Sequence, residues 1–226
     1  MIYKTIMKKK VQFFITLSIA LSLYVIINYY NKKESLFSSF VSEETAHETN
    51  TNKIQKEKII AIRKAAKGFF TKIRFADTQY DMSKLSFQDI QGKNYTLAEF
   101  TGKPMLINLW GTWCLPCRTE MPELVKLKRE MGGENFDVIA INTDTTSSSE
   151  KIQQFLQNVH ADNSFYYRDK TTNIFNNLRK QGLALGLPVT LLIDKNAHLI
   201  ASFNGEAPWA NDDAKTLIKA FIKETQ

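Results

Sequence analysis

Cysteine and histidine are scarce in this sequence: its 226 residues include two cysteines and three histidines. A structural zinc site needs four such ligands in paired spacings. Beyond Cys114 and Cys117 there is no further cysteine, and His47, His160 and His198 are widely scattered, so a zinc site is not expected and no metal is assigned. No internal repeat is visible, which leaves a single non-repetitive body. Excess positive charge is also missing where a nucleic-acid-binding face would need it. The formal net charge is +7, but residues 1–74 carry 14 Lys+Arg against 5 Asp+Glu, whereas residues 75–226 carry 16 against 18. The basicity belongs to an N-terminal appendage. Nucleic acid is therefore not an expected partner, and a basic anchor beside anionic lipid is.

Charge is absent altogether from residues 11–30, VQFFITLSIALSLYVIINYY. As a helix this run covers about 30 Å, the thickness of the hydrocarbon layer. Lys4, Lys8, Lys9 and Lys10 precede it, while Lys32 and Lys33 follow beside Glu34. That imbalance favours a cytoplasmic N-terminus with the rest of the chain across the membrane. Tyr24, Tyr29 and Tyr30 suit an interfacial belt at its outer end. The alternative is a cleaved signal peptide with SIA at 18–20 as a weak processing site; the apolar run continues ten residues past it, which favours a retained anchor. Either way the body is exported, to a compartment where disulfides persist. The expected location is the periplasmic side of a bacterial inner membrane, reached by a single pass.

Three regions follow: a cytoplasmic tip and transmembrane anchor over 1–33, a tether and amphipathic helix over 34–75, and a folded domain over 76–226. The last, roughly 150 residues, is the usual size of one domain. Residues 34–52 are rich in Ser, Thr, Glu and Asn and read as a flexible tether. Over 53–73, Ile59, Ile62, Ala66, Phe69 and Ile73 recur at helical intervals. This predicts a helix packed on the domain; a basic amphipathic surface for a membrane or partner is the sharper alternative. Beyond residue 84, LSFQDI and NYTL read as a hairpin around Gly92, and Thr96 with Glu99 suggests a capping box. PMLINLW and FDVIAIN are short buried strands, and VTLLID pairs with LIASFNG around KNA. Helices are expected from about Cys114 to Met131, over 147–158, around 171–179 and over 210–223, with a short strand near Phe165–Tyr167. The class is α/β, a mixed sheet covered on both faces.

The two cysteines stand two residues apart where a buried strand runs into a helix, in LWGTWCLPCRTEMPEL, residues 109–124. On the first helical turn this gap sets the second sulfur one turn beyond the first, close enough for a small disulfide. The free N–H groups and positive dipole end lower the first sulfur's pKa. Moving a thiol from about 8.5 to about 7 takes on the order of 2 kcal/mol, within reach of a helix end plus hydrogen bonds. Cys114 is then the exposed attacker, and Cys117, more buried, resolves the mixed disulfide.

WCLPCR, with NLWGTWC before it and EMPEL after it, resembles the thioredoxin superfamily, in particular its membrane-anchored TlpA-type branch. The likeness runs from about residue 80 to the C-terminus and includes SFQDIQGKNYTLAEFTGK, GLPVTLLID and GEAPW. It implies a thioredoxin-like fold, a central mixed sheet flanked by helices, and a dithiol/disulfide site needing no cofactor. It also implies a dithiol form that reduces exported disulfide-bearing proteins: copper-insertion factors, an oxidase subunit or apocytochrome c. A membrane electron donor would supply the reducing equivalents. Asn108 stands where ordinary thioredoxins carry a buried acidic residue, so that proton acceptor is expected to be absent. Glu120 matches an acidic position of related membrane-anchored reductases and could relay protons; a solvated helix glutamate is its plain alternative. Pro188 matches the family's cis-proline, leaving the Leu187 backbone open to pair with an extended substrate. Trp113 is expected to shield Cys114 and form part of the docking face; Leu115 and Pro116 shape access to the disulfide. Trp110 is expected in the core and Trp209 at the start of a packed C-terminal helix. A structural disulfide found in some relatives is excluded for want of a third cysteine. Two other functions remain open at this stage. One is a thiol peroxidase using Arg118 and Thr119; the other is a non-enzymatic copper carrier using the two thiolates with His160 or His198.

Overall fold

Short apolar runs become the centre of the sheet. In β4 (Met105–Trp110) every residue is buried, and successive side chains alternate between the two faces. Leu106 and Trp110 face one core; Met105, Ile107 and Leu109 face the other. The protein is described here by a computed structural model covering residues 28–34 and 55–226. Residues 28–34 are helical and exposed; the rest of the apolar run over 11–30, the SIA site and most of the expected tether lie outside the described residues. Among the described residues, no helix is long and apolar enough to cross a membrane.

The sheet has eight strands in the order β1-β8-β7-β4-β5-β6-β2-β3. β5 (Asp137–Asn142) runs parallel to β4, and β6 (Tyr167–Arg168) runs parallel to β5. β7 (Val189–Ile193) lies antiparallel to β4, and β8 (His198–Asn204) antiparallel to β7. The expected hairpin is β2 (Ser86–Gln88) with β3 (Asn94–Thr96), and the capping box of Thr96 and Glu99 opens a short 3-10 turn after it. β1 (Arg74–Asp81) was not expected from the sequence. It is an edge strand whose residues are mostly exposed, so it lacks the apolar alternation by which strands are read.

One face of the sheet carries the long helix α2 (Leu115–Met131), α3 (Ser149–Asn158) and α5 (Asp212–Thr225), which share a core with Leu106 and Trp110. The other face is covered by α4 (Asn173–Lys180), through Ile174 and Leu178. The mixed sheet flanked by helices is the architecture expected.

The N-terminal helix differs from expectation in length. The described part of α1 covers 55–65, and the chain then turns through Gly68–Lys72 as a 3-10 helix. Gly68 takes φ +53, a conformation glycine adopts at no steric cost. The turn puts Phe70 inward while Phe69 stays largely exposed. Ile62, Phe70 and Ile73 are buried in the same core as α2 and α5. The chain divides into the units Met1–Gln55 and Lys56–Gln226, so the compact body begins well before the boundary of 76 read from the sequence. The reason is burial: three apolar side chains of the segment set apart as 34–75 have no other cover.

Candidate active site

β4 delivers the chain to one end of the sheet, where Gly111, Thr112 and Trp113 lead into α2. The expected start of that helix moves by one residue: Cys114 is its N-cap, with extended backbone, and its Sγ accepts from the Cys117 N–H at 3.2 Å. Cys114 and Cys117 form a disulfide, with Cα atoms 5.3 Å apart. The sulfur therefore sits among the unpaired N–H groups of a helix start, where a thiolate is stabilised once the bond is reduced. Cys117 is fully buried, as expected, but Cys114 is only 4% exposed, so the attacker is covered more than the sequence reading allowed. As a capping side chain it folds back over the first turn and lies against its partner sulfur. The residues flanking it are the exposed ones. Trp113 is 71% and Leu115 70% exposed, and Pro116, in the first turn, is exposed too.

Leu187–Pro188 is a cis peptide bond. Val189 pairs with Leu109 of β4, so Pro188 comes to the same end of the sheet as the cysteine loop. The Pro188 carbonyl accepts from Gly205, whereas Leu187 makes no backbone hydrogen bond within the described residues.

Glu120 lies one helical turn beyond Cys117, and it is not a solvated glutamate: only 2% of it is exposed. Its Oε1 accepts from Asn108 Nδ2 at 2.8 Å; its Oε2 accepts from the Ala207 N–H at 3.1 Å and from Trp209 Nε1 at 3.2 Å. Burial pushes its pKa up to about 7, against the pull of those three donors, and the nearby Glu206 carboxylate adds to the rise. The group thus stands half-protonated near neutrality, where a proton relay works best. An open groove bordered by Phe69, Thr119, Glu123 and Glu206 reaches it from solvent.

Asn108 supplies no acid at its own position, as expected, but it is bound to one. It occupies the α2-facing side of β4, donates to Glu120, and donates to Thr190 Oγ1 of β7 at 2.9 Å. The carboxylate comes from the helix and the strand supplies its donor. Trp209, expected at the start of a packed C-terminal helix, is fully buried and is the second side-chain donor to Glu120. Neither contact had a local signal, since the partners are 12 and 89 residues apart in the chain. Trp110 is in the core as expected.

The residues of the alternative functions lie elsewhere or are otherwise engaged. Arg118 stacks over the Phe155 ring at 5.6 Å, and the Thr119 hydroxyl donates to the Leu115 carbonyl within α2. His198 opens β8, whose opposite end, Asn204, is the one paired with Val189 near the cysteines. His160 borders a cleft with Lys103 and Asp137, at the start of β5 and so at the far end of the sheet. His47 is outside the described residues. Among the described residues, no cluster of three or more His, Cys, Asp or Glu is placed to hold a metal ion.

A disulfide closing the first turn of a helix, a cis-proline at the same sheet end and a buried carboxyl beneath them define a dithiol/disulfide exchange site on a thioredoxin-like fold. The comparisons agree. A family model described as Redoxin matches residues 77–218, and the chain belongs to that family. It is 31% identical over 142 residues to the thiol-disulfide oxidoreductase ResA of Bacillus thuringiensis subsp. konkukian, spanning 62% of this chain and 76% of that protein. It is 39% identical over 66 residues to the thioredoxin-like protein YneN of Bacillus subtilis, 29% of this chain and 38% of that one. In fold it is similar to a putative thiol:disulfide interchange protein DsbE from Chlorobium tepidum (TM-score 0.53, 23% identity, covering 65% of this chain and 99% of the other). A secreted thiol-disulfide isomerase from Corynebacterium glutamicum is similar at TM-score 0.53 and 21% identity, covering 68% and 92%. The protein is a TlpA-type thiol-disulfide oxidoreductase.

Proposed function

We propose that this oxidoreductase works as a reductase of exported proteins, held to the outer side of a membrane by residues 11–30. The dithiol form begins the cycle. The Cys114 thiolate attacks a partner disulfide and one partner sulfur leaves as a thiolate, giving a mixed disulfide. Glu120, as carboxylate, takes the Cys117 proton, and the Cys117 sulfur attacks Cys114 Sγ. The partner departs with both its cysteines reduced, and this chain is left with the Cys114–Cys117 bond. Two electrons have passed to the partner, and a membrane electron donor must return two. Trp113, Leu115 and Pro116 present an apolar rim for docking, and the open peptide groups of Leu187 align the partner's chain beside the sulfurs.

The observation that carries this reading is the sulfur pair itself, a helix-capping Cys114 over a fully buried Cys117. The anchor is supported by twenty residues without charge and the Lys excess before them. The partners favoured are proteins whose cysteines must be thiolates before they take up a metal or haem, such as copper-insertion factors, an oxidase subunit or apocytochrome c. Cys117→Ser tests the mechanism: it should leave partners covalently attached to Cys114 in membranes, and Cys114→Ser should capture none. Equilibration with glutathione tests the direction. A potential as oxidising as that of strong disulfide donors, about −120 mV, would overturn the reductase role.

A further inference from the structure

Asp144 is a buried carboxylate that the exchange mechanism does not use. It follows β5, is 1% exposed, and turns its Oδ2 to the loop before Cys114. That oxygen accepts from the Thr112 N–H at 2.9 Å, from Thr112 Oγ1 at 2.7 Å and from Asn142 Nδ2 at 3.4 Å. The Thr112 hydroxyl also meets Ser147 Oγ at 2.9 Å. Asp144 is itself fixed. Its N–H donates to Asn142 Oδ1 at 3.0 Å, and its carbonyl accepts from the buried Arg168 at 3.0 Å, which also donates to the Ser147 carbonyl. The second carboxylate oxygen has no hydrogen-bond partner among the described residues. It lies against Gly111, where a Cβ would come within 2.8 Å of it and 3.0 Å of Trp113 Nε1. Only glycine lets the loop rest on the carboxylate this closely.

The loop so tied is the part of the site that has to give when the disulfide opens. Reduction takes the two sulfurs from bonding distance to van der Waals separation. Cys117 is fully buried inside α2, whereas Cys114 stands at the junction of loop and helix, so the displacement falls on the Cys114 side. Thr112, two residues earlier, is bonded to Asp144 in the disulfide form described here. A negative charge buried against the same loop also opposes a second one on Cys114.

We propose that Asp144, acting through Thr112, is a positioning residue that favours the disulfide over the dithiol form and so makes the protein the stronger reductant. The inference rests on Cys114 and Cys117 being the exchanging pair; loss of exchange in Cys114→Ser tests that separately. Both contributions have the same sign: the tie holds Cys114 where the disulfide needs it, and the charge disfavours the thiolate.

The test is the redox equilibrium of the full chain with glutathione. Two glutathione thiols become one glutathione disulfide as the Cys114–Cys117 bond breaks and each cysteine sulfur gains a proton. The reduced fraction is read by thiol alkylation and mass. Thr112→Val removes the hydroxyl bonds at nearly constant shape, and Thr112→Ser keeps them. Asp144→Asn removes the charge and weakens the tie. Thr112→Val and Asp144→Asn should each shift the equilibrium toward dithiol about tenfold, or about 30 mV for two electrons. Thr112→Ser should match the unaltered protein, and the double variant should shift by less than the sum of the two single shifts, because both lose part of the same tie. A folded Thr112→Val with an unchanged equilibrium overturns the proposal, whether or not Asp144→Asn folds. So does Thr112→Ser shifting as far as Thr112→Val, or full additivity in the double variant.

Discussion

Glu120 holds a proton that most glutamates have lost by neutral pH, and this has a cost that can be measured. Its pKa rises from 4.5 in the open chain to about 7 in the folded one. Between those values the folded state binds a proton that the unfolded state does not, so stability is full below about pH 4.5 and declines as pH rises to about 7. The loss is on the order of 3 kcal/mol once the group is fully ionised. Urea midpoints of the disulfide form at pH 5 and pH 8 should show this decline, and Glu120→Gln should remove most of it. The same substitution should slow release of reduced partner from the mixed disulfide without weakening capture, because only the second exchange step needs the Cys117 proton taken. Little of this was legible beforehand. A glutamate one turn past a cysteine pair is visible in the sequence, but its burial is created by Ala207 and Trp209, 87 and 89 residues away. Asn108 was legible as the residue standing where ordinary thioredoxins carry a buried acid, but not its partner, which comes from the facing helix. The cysteines were plain because their spacing, the buried strand before them and the helix after them are all local in the sequence.

At the scale of elements, strong periodicity and good caps were readable, and the mostly exposed edge strand β1 was not. β4, β5, β7 and β8 announce themselves as apolar runs, and α5 begins where Asn211 Oδ1 accepts from the Ala214 N–H at 2.8 Å. Asn211→Ala should therefore cost about 1 kcal/mol in a denaturation experiment. The helix predicted over 53–73 shows why apolar spacing can mislead. Ile62, Ala66, Phe69 and Ile73 fit one helical face, yet Gly68 breaks the path, and the 3-10 turn beyond it buries Phe70 rather than Phe69. Gly68 makes a close approach as well, since a Cβ there would fall 2.2 Å from Asp213 Oδ2 at the start of α5. Gly68→Ala should destabilise by about 1 kcal/mol through its positive φ, with more lost if the Asp213 side chain is displaced from the helix start.

For the whole molecule, the relevant question is where the folded body starts. Ile62, Phe70 and Ile73 close the core around Phe203 and Trp209, with the Phe70 and Trp209 ring centroids 5.0 Å apart. A chain beginning at Lys56 should fold cooperatively. One beginning at residue 76, the boundary the sequence suggested, exposes that core and should be less stable by about 5 kcal/mol, at roughly 1.5–3 kcal/mol for each large side chain lost. Comparing their urea unfolding curves decides between the two boundaries. The charge partition of the sequence points the same way for the anchor: the full chain should sediment with membranes, and the Lys56 form should remain in the supernatant. Full-chain protein that stays soluble and unprocessed would remove the anchor from the proposed function.

The hydrogen bond from Trp209 to Glu120 means that the protein carries its own optical gauge of the charge on that carboxyl. An indole changes its emission when the acceptor beside it gains or loses charge. With Trp110 and Trp113 replaced by phenylalanine, the remaining indole reports from within hydrogen-bonding distance of the carboxyl. A pH titration of that emission, with no dye attached, would then read the protonation of Glu120 separately in the disulfide and dithiol forms.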